Sequence, residues 1–146
     1  MSVDELIHQR ILHAPRELVW RCLTVPSELA RFWGPRGTVT PADGIIVELR
    51  PGGRFETLMI GAHGSHRMVA VFTEVVPPER LAWVEPFSGM RTTSTLGDLG
   101  DGTTEVVIRQ RHVPEAMRTP EARAGFLTSL DRLEEHLATH TREDRS

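Results

Sequence analysis

The sequence predicts an α+β domain: one strongly curved antiparallel sheet of six to seven strands, wrapped around a long C-terminal helix, with two short helices after the first strand. Three observations predict it. From residue 44 to residue 110 the apolar positions alternate with period 2, interrupted by the turn residues Pro51-Gly52-Gly53, Pro77-Pro78-Glu79 and Gly100-Asp101-Gly102. Before that stretch, Pro15 and Pro26 each open a short segment of helical period. After it, Phe126, Leu130, Leu133 and Leu137 fall at i, i+4, i+7 and i+11, one apolar stripe along a helix of about five turns.

Residues 5–13 read as the first strand, with Ile7 and Ile11 on one face and Leu6 and Leu12 on the other. Pro15 starts a helix at a position that needs no N–H donor, and Leu18, Val19 and Cys22 follow at helical spacing. Pro26 starts a second, carrying Leu29, Phe32 and Trp33 on one side; Val25 stands where a side-chain cap would be worth about 1 kcal/mol. The strands then follow in sequence. Ile45, Val47 and Leu49 alternate first, then Phe55, Thr57 and Met59. Met68, Ala70 and Phe72 oppose Val69, Val71 and Val75, and Leu81, Trp83 and Glu85 come next. Thr93 and Thr95 lead to the last strand, Val106, Ile108 and Gln110. Thr119-Pro120-Glu121 is a helix start, and the final helix spans about residues 119–140. The core is residues 5–140 of a single domain, 1–146, with a polar tail at 141–146 that is expected to fray.

Such a sheet cannot bury its concave face alone, and one helix covers only part of it. This helix-grip geometry predicts a ligand cavity between sheet and helix. The candidate lining is Trp33, Phe55, Met59, Met68, Phe72, Trp83 and Phe126, with Thr57, Leu81, Ile108 and Leu130 on the same side. At any one of these positions plain core packing is sufficient reason for the residue. As a set, with two methionines that fill irregular space, they favour a cavity. Gly125 fits either a cavity roof or close helix–sheet packing. If the 100–102 turn pairs Thr93 with Gln110 and Thr95 with Ile108, then Glu85, Thr93 and Gln110 form a polar spot at one mouth. Glu85 beside Trp83 is the one candidate acid or base; the plain alternative is a rim carboxylate facing water.

Composition narrows the classes. The 146 residues carry a net charge of −3, which gives no bulk attraction to nucleic acid or anionic membrane. All 17 basic residues are arginine; lysine, asparagine and tyrosine are absent, as a GC-rich genome would produce. Schiff-base chemistry on a lysine is excluded. The N-terminus lacks a signal-peptide pattern and no stretch is long and apolar enough to span a bilayer, so a cytoplasmic protein is expected.

Cys22 is the single cysteine and reads as a core thiol with no activating neighbour. His63 and His66 flank a hairpin glycine and read as solvated. His136 and His140 have a spacing that can hold zinc, but only Glu135 or Asp144 lies near them in sequence, so they read as surface histidines. No metal and no cofactor is expected. Arg50-Pro51-Gly52-Gly53 is followed by a strand, so its glycines serve a turn and not a phosphate loop. Arg50, Arg54 and Arg67 are placed to pair with Glu48 and Glu56 on the outer face.

Five motifs in order carry a family resemblance: Ala14-Pro15-Arg16-Glu17-Leu18-Val19-Trp20, Phe32-Trp33-Gly34-Pro35, Arg50-Pro51-Gly52-Gly53, Pro77-Pro78-Glu79-Arg80-Leu81, and the run from Gly125 to Leu133. Together they resemble the small bacterial proteins named after the activator of heat-shock protein 90 ATPase, in the START-like (SRPBCC) superfamily, whose helix-grip fold is also called Bet v-like. The resemblance implies a domain that binds a small apolar or aromatic metabolite. It also admits a cyclase- or hydrolase-type enzyme using Glu85, or a co-chaperone or protein-interaction module. A homodimer stays open; a nucleic acid or membrane partner is not expected.

Overall fold

The computed structural model describes residues 4–144, with side chains through His140. Strand β1 (Leu6–Leu12) leads into helices α1 (Arg16–Thr24) and α2 (Pro26–Phe32). A 3-10 turn at Ala42–Gly44 precedes β2 (Ile46–Val47), β3 (Arg54–Gly61), β4 (Gly64–Val76), β5 (Arg80–Val84), β6 (Arg91–Asp98) and β7 (Thr104–Arg111). A second 3-10 turn, Glu115–Met117, leads to α3 (Pro120–Asp144). The strands form one antiparallel sheet in the order β1-β7-β6-β5-β4-β3-β2. Every hairpin from β2 to β7 pairs chain neighbours, and β1 closes the far edge on β7.

The period-2 pattern sorts the strands as expected on most of the inner face. Phe55, Thr57, Met68, Ala70, Phe72, Leu81, Trp83, Val106 and Ile108 are buried. A bulge between Phe72 and Glu74 adds one residue to β4, which shifts the inward set so that Val75 lies opposite Leu81 and packs on the core. β2 is shorter than the alternation from Ile45 to Leu49 suggested. Ile45 is buried ahead of the strand, and Leu49 is exposed as the chain enters the Pro51-Gly52 turn.

The expected β6–β7 register is one residue out. Thr93 lies opposite Arg109 and Thr95 opposite Val107, while Thr92 pairs with Gln110 and Ser94 with Ile108. The turn closes on Leu99 and Thr103 through a backbone hydrogen bond of 3.2 Å, which leaves the three residues 100–102 between them, where the expected register needs an even number. With a period of 2, that single slip sends Thr93 and Thr95 to the outer face and brings Thr92, Ser94 and Leu96 inward.

On α3, Leu130, Leu133 and Leu137 are buried along one stripe with Phe126 partly buried above them. Thr119 Oγ1 accepts from Ala122 N at 3.1 Å, the expected cap. The helix runs past the expected end at His140 to Asp144; 145–146, the remainder of the expected frayed tail, lie outside the described residues. Arg132 ties this helix to the segment after α2 by donating to the carbonyls of Gly34 (2.9 Å) and Pro35 (3.1 Å). Gly125 faces neither a void nor the sheet: a Cβ there would meet Pro35 at 3.8 Å, ordinary contact. The outer-face pairs Arg50–Glu48, Arg54–Glu56 and Arg67–Glu56 form at 3.8, 2.8 and 3.9 Å.

Candidate functional site

The middle of the concave face is built from rings. Phe55 lies at its centre, stacked on Phe72 (5.1 Å between centroids) and edge-on to Trp83 (5.0 Å) and Trp33 (5.4 Å). Trp33, brought in at the end of α2, donates its indole N–H to Thr57 Oγ1 at 3.1 Å. That bond satisfies the polar edge of one ring and the hydroxyl of a fully buried strand residue. Phe55, Phe72, Trp83 and Trp33 thus fill this part of the grip with their own side chains. Met68 is buried beside them, and half-buried Met59 packs under the loop at Gly34.

Toward the N-terminal half of α3 the inner face turns polar. Leu6, Gln110, Thr92 and Trp83 form one cross-strand row over β1, β7, β6 and β5; His8, Ile108, Ser94 and Leu81 form the next. His8, Thr92, Ser94 and Gln110 are all buried. The His8 ring lies 4.3 Å from that of Phe126, and its Nε2 has no hydrogen-bond partner. Burial, and secondarily the charge of Arg123, lowers its pKa, so the ring is neutral at pH 7. The polar spot expected from Glu85, Thr93 and Gln110 is therefore corrected. Gln110 faces inward, but Thr93 is on the outer face, in a concavity of about 360 Å³ with Arg80, Arg91, Arg109 and Arg111. Thr92 takes its inward place. Sequence reasoning missed His8, although the signal was present: it shares its strand face with Leu6 and Leu12, by period 2.

Glu85 follows the last residue of β5 and is half-buried; its N–H donates to Met90 O across the β5–β6 turn at 2.9 Å. Burial alone raises its carboxyl pKa. The folded chain therefore holds this proton to a higher pH than the unfolded chain does. Between the two pKa values the folded state binds more protons, so stability falls as pH rises through that window. Glu85→Gln should gain stability relative to the parent chain on going from about pH 4 to pH 7 in urea titrations. Parallel pH profiles for the two proteins would contradict a buried carboxyl here.

A second constellation joins the three helices. Cys22 of α1, Glu28 of α2, and His136 and His140 of α3 place one donor atom each so that all lie within 4.8 Å of one another. His136 Nε2 and His140 Nε2 stand 2.9 and 3.0 Å from the same Glu28 oxygen. The expectation of surface histidines and an isolated thiol is thereby corrected: the two imidazoles are mostly covered, and Cys22 has both near it. Burial, with the charge of Glu28 second, pushes the Cys22 thiol up to about 12. Burial pushes the Glu28 carboxyl upward, but the hydrogen bonds and charges of His140 and His136 together outweigh it and hold the carboxyl below its ordinary value. The group opens on a surface concavity of about 560 Å³, which Arg31, Arg36, Arg132 and Glu135 also line.

The comparisons agree on one architecture. The family model described as activator of Hsp90 ATPase homolog 1-like protein matches residues 13–138. A crystal structure of a protein from Nitrosomonas europaea superposes with a TM-score of 0.83 at 27% identity, covering 97% of this chain and 99% of that one. One from Chromobacterium violaceum gives 0.79 at 29% identity over 90% and 96%. The solution structure of a protein from Aeromonas hydrophila, described as AHSA1-like, gives 0.79 over 94% of each chain; at 24% identity it bears on the fold alone. No curated protein matches. Among the described residues, no helix is long and apolar enough to cross a membrane.

Proposed function

The chain belongs to the family of activator of Hsp90 ATPase homolog 1-like proteins, with a START-like fold, and on that premise we propose that it is a small-molecule binding domain. Its ligand is an apolar or aromatic metabolite with one hydrogen-bonding group, held between α3 and the polar rows of the sheet. The observation that carries this reading is the unpartnered Nε2 of buried His8 beside the Phe126 ring. Leaving such an atom unpaired costs about 1–3 kcal/mol, which a ligand group restores on binding. Gln110 and Thr92 add polar groups one and two strands away, and Trp83 supplies an apolar wall in the same row as these two. A few polar groups converging in an otherwise apolar lining are the usual composition of a metabolite site.

The test uses N-phenyl-1-naphthylamine, an apolar fluorophore with one N–H. The parent chain should give saturable, one-to-one enhancement of probe fluorescence. His8→Leu, which keeps the apolar volume, should weaken binding about 3–10-fold, the worth of one hydrogen bond. Val69→Ala, on the outer face, should bind like the parent. Absence of saturable binding in the parent, or equal affinity in His8→Leu, would overturn the proposal. Native mass spectrometry of the protein from its own host would weigh the retained metabolite directly.

A further inference from the structure

We infer that Cys22, Glu28, His136 and His140 form a binding site for a divalent transition metal ion of the zinc class, one that ties α1, α2 and α3 together. It shares no residue with the proposed metabolite site, and either can fail without the other.

The donor set is the first argument. One thiolate, two imidazoles and one carboxylate are the ligand types that zinc takes, and four of them complete a tetrahedral shell. Bond lengths of about 2.0–2.3 Å place neighbouring ligand atoms about 3.3–3.7 Å apart. The widest separation allowed by the 4.8 Å limit needs only about an ångström of closure, and the two histidine–glutamate contacts, at 2.9 and 3.0 Å, need slight spreading. The ion, one thiolate and one carboxylate sum to zero charge, which suits a covered position.

The second argument is the state of the carboxylate. The Glu28 side chain is 9% exposed, and its Oε2 is buried without a hydrogen-bond partner. The nearest cation to that oxygen is Arg21 Nε, at 3.4 Å, with an exposed side chain. Both histidines crowd the other oxygen. A buried carboxylate left half-used beside two imidazoles and a thiol is a set of ligands short of a common partner. The arginine-lined concavity leaves a route from solvent to the two histidines.

Binding is balanced simply. The imidazoles are neutral ligands with their remaining proton on Nδ1. Cys22 gives up the one proton released to solvent per ion, and the carboxylate is already ionised.

Cobalt(II) is the probe, added to the untagged, chelator-treated full chain. The expected result is a one-to-one titration with intense tetrahedral d–d absorption, a thiolate-to-cobalt charge-transfer band, and displacement of both by zinc. Loss of an outer-sphere partner typically weakens a metal site about 10–100-fold, so loss of a ligand should weaken this one by at least about 100-fold. Cys22→Ser should also abolish the charge-transfer band. His140→Gln tests the same point at a more exposed position, should Cys22→Ser fail to fold. His66→Ala, in the β3–β4 turn, should titrate like the parent. No one-to-one binding tighter than about 10 µM, no charge-transfer band in the parent, or binding unchanged in His140→Gln would each overturn the site and leave a hydrogen-bonded Glu28–histidine cluster.

Discussion

Phe55→Ala should destabilise the protein by about 3–5 kcal/mol in urea titration, the range for removing a buried phenylalanine whose surroundings cannot collapse. Phe55 is 1% exposed and touches three other rings, Trp33, Phe72 and Trp83. Those rings are held from three separate elements: the end of α2, β4 and β5. None can move into the vacated volume without losing its own contacts, and Trp33 is further fixed by its bond to Thr57. Phe126→Ala should cost less, because that ring is only partly buried on the core. A loss at Phe55 below about 1 kcal/mol would show that the wall closes over the gap. The centre of the grip would then be soft enough to open for a ligand, and the metabolite site would extend toward Phe72.

The element order was legible because it rests on local signals. Two prolines, three turns and one apolar stripe mark boundaries within a few residues of where they fall. The site was less legible for two separate reasons. Along β6 the run Thr92-Thr93-Ser94-Thr95 is polar at every position, so alternation has nothing to choose between; only the true length of the turn at 99–103 decides which threonines face inward. His8 was hidden differently, as a polar residue on a face that Leu6 and Leu12 made look apolar. The metal constellation was illegible in principle. His136 and His140 stand 108 and 112 residues from Glu28, and only the docking of α3 on α2 brings them together. The i, i+4 spacing of the histidines was visible, but the partners lie in a distant segment that no spacing rule reaches. Met68, Phe72 and Trp83 share the concave side because their strand pattern is unambiguous, and Trp33 joins them from the end of α2.

Gly53→Ala should be among the most damaging single-methyl additions to this chain, whereas Gly52→Ala, one residue earlier, should be mild. The sequence shows two adjacent turn glycines and no difference between them. The structure separates them by mechanism. Gly52 has φ +84° with nothing within 4 Å of a built Cβ. Alanine there meets only the left-handed backbone penalty, roughly 1–2 kcal/mol. Gly53 has no such backbone demand, but its Cβ would stand 2.0 Å from Glu48 O. That carbonyl is backbone, so relief requires moving the β2–β3 connection itself. Glu48 N donates to Arg54 O at 2.8 Å and Phe72 N donates to Gly53 O at 2.9 Å. Displacing either side therefore breaks ladder bonds next to Phe72, in the aromatic wall. The expected cost is at or above the top of the roughly 1–3 kcal/mol range for overpacking, read from urea midpoints at unchanged slope. Near-ultraviolet circular dichroism should also change for Gly53→Ala and stay constant for Gly52→Ala, since only the former disturbs the rings. Equal, small losses for both variants would mean that the turn relaxes freely and does not hold the wall in place.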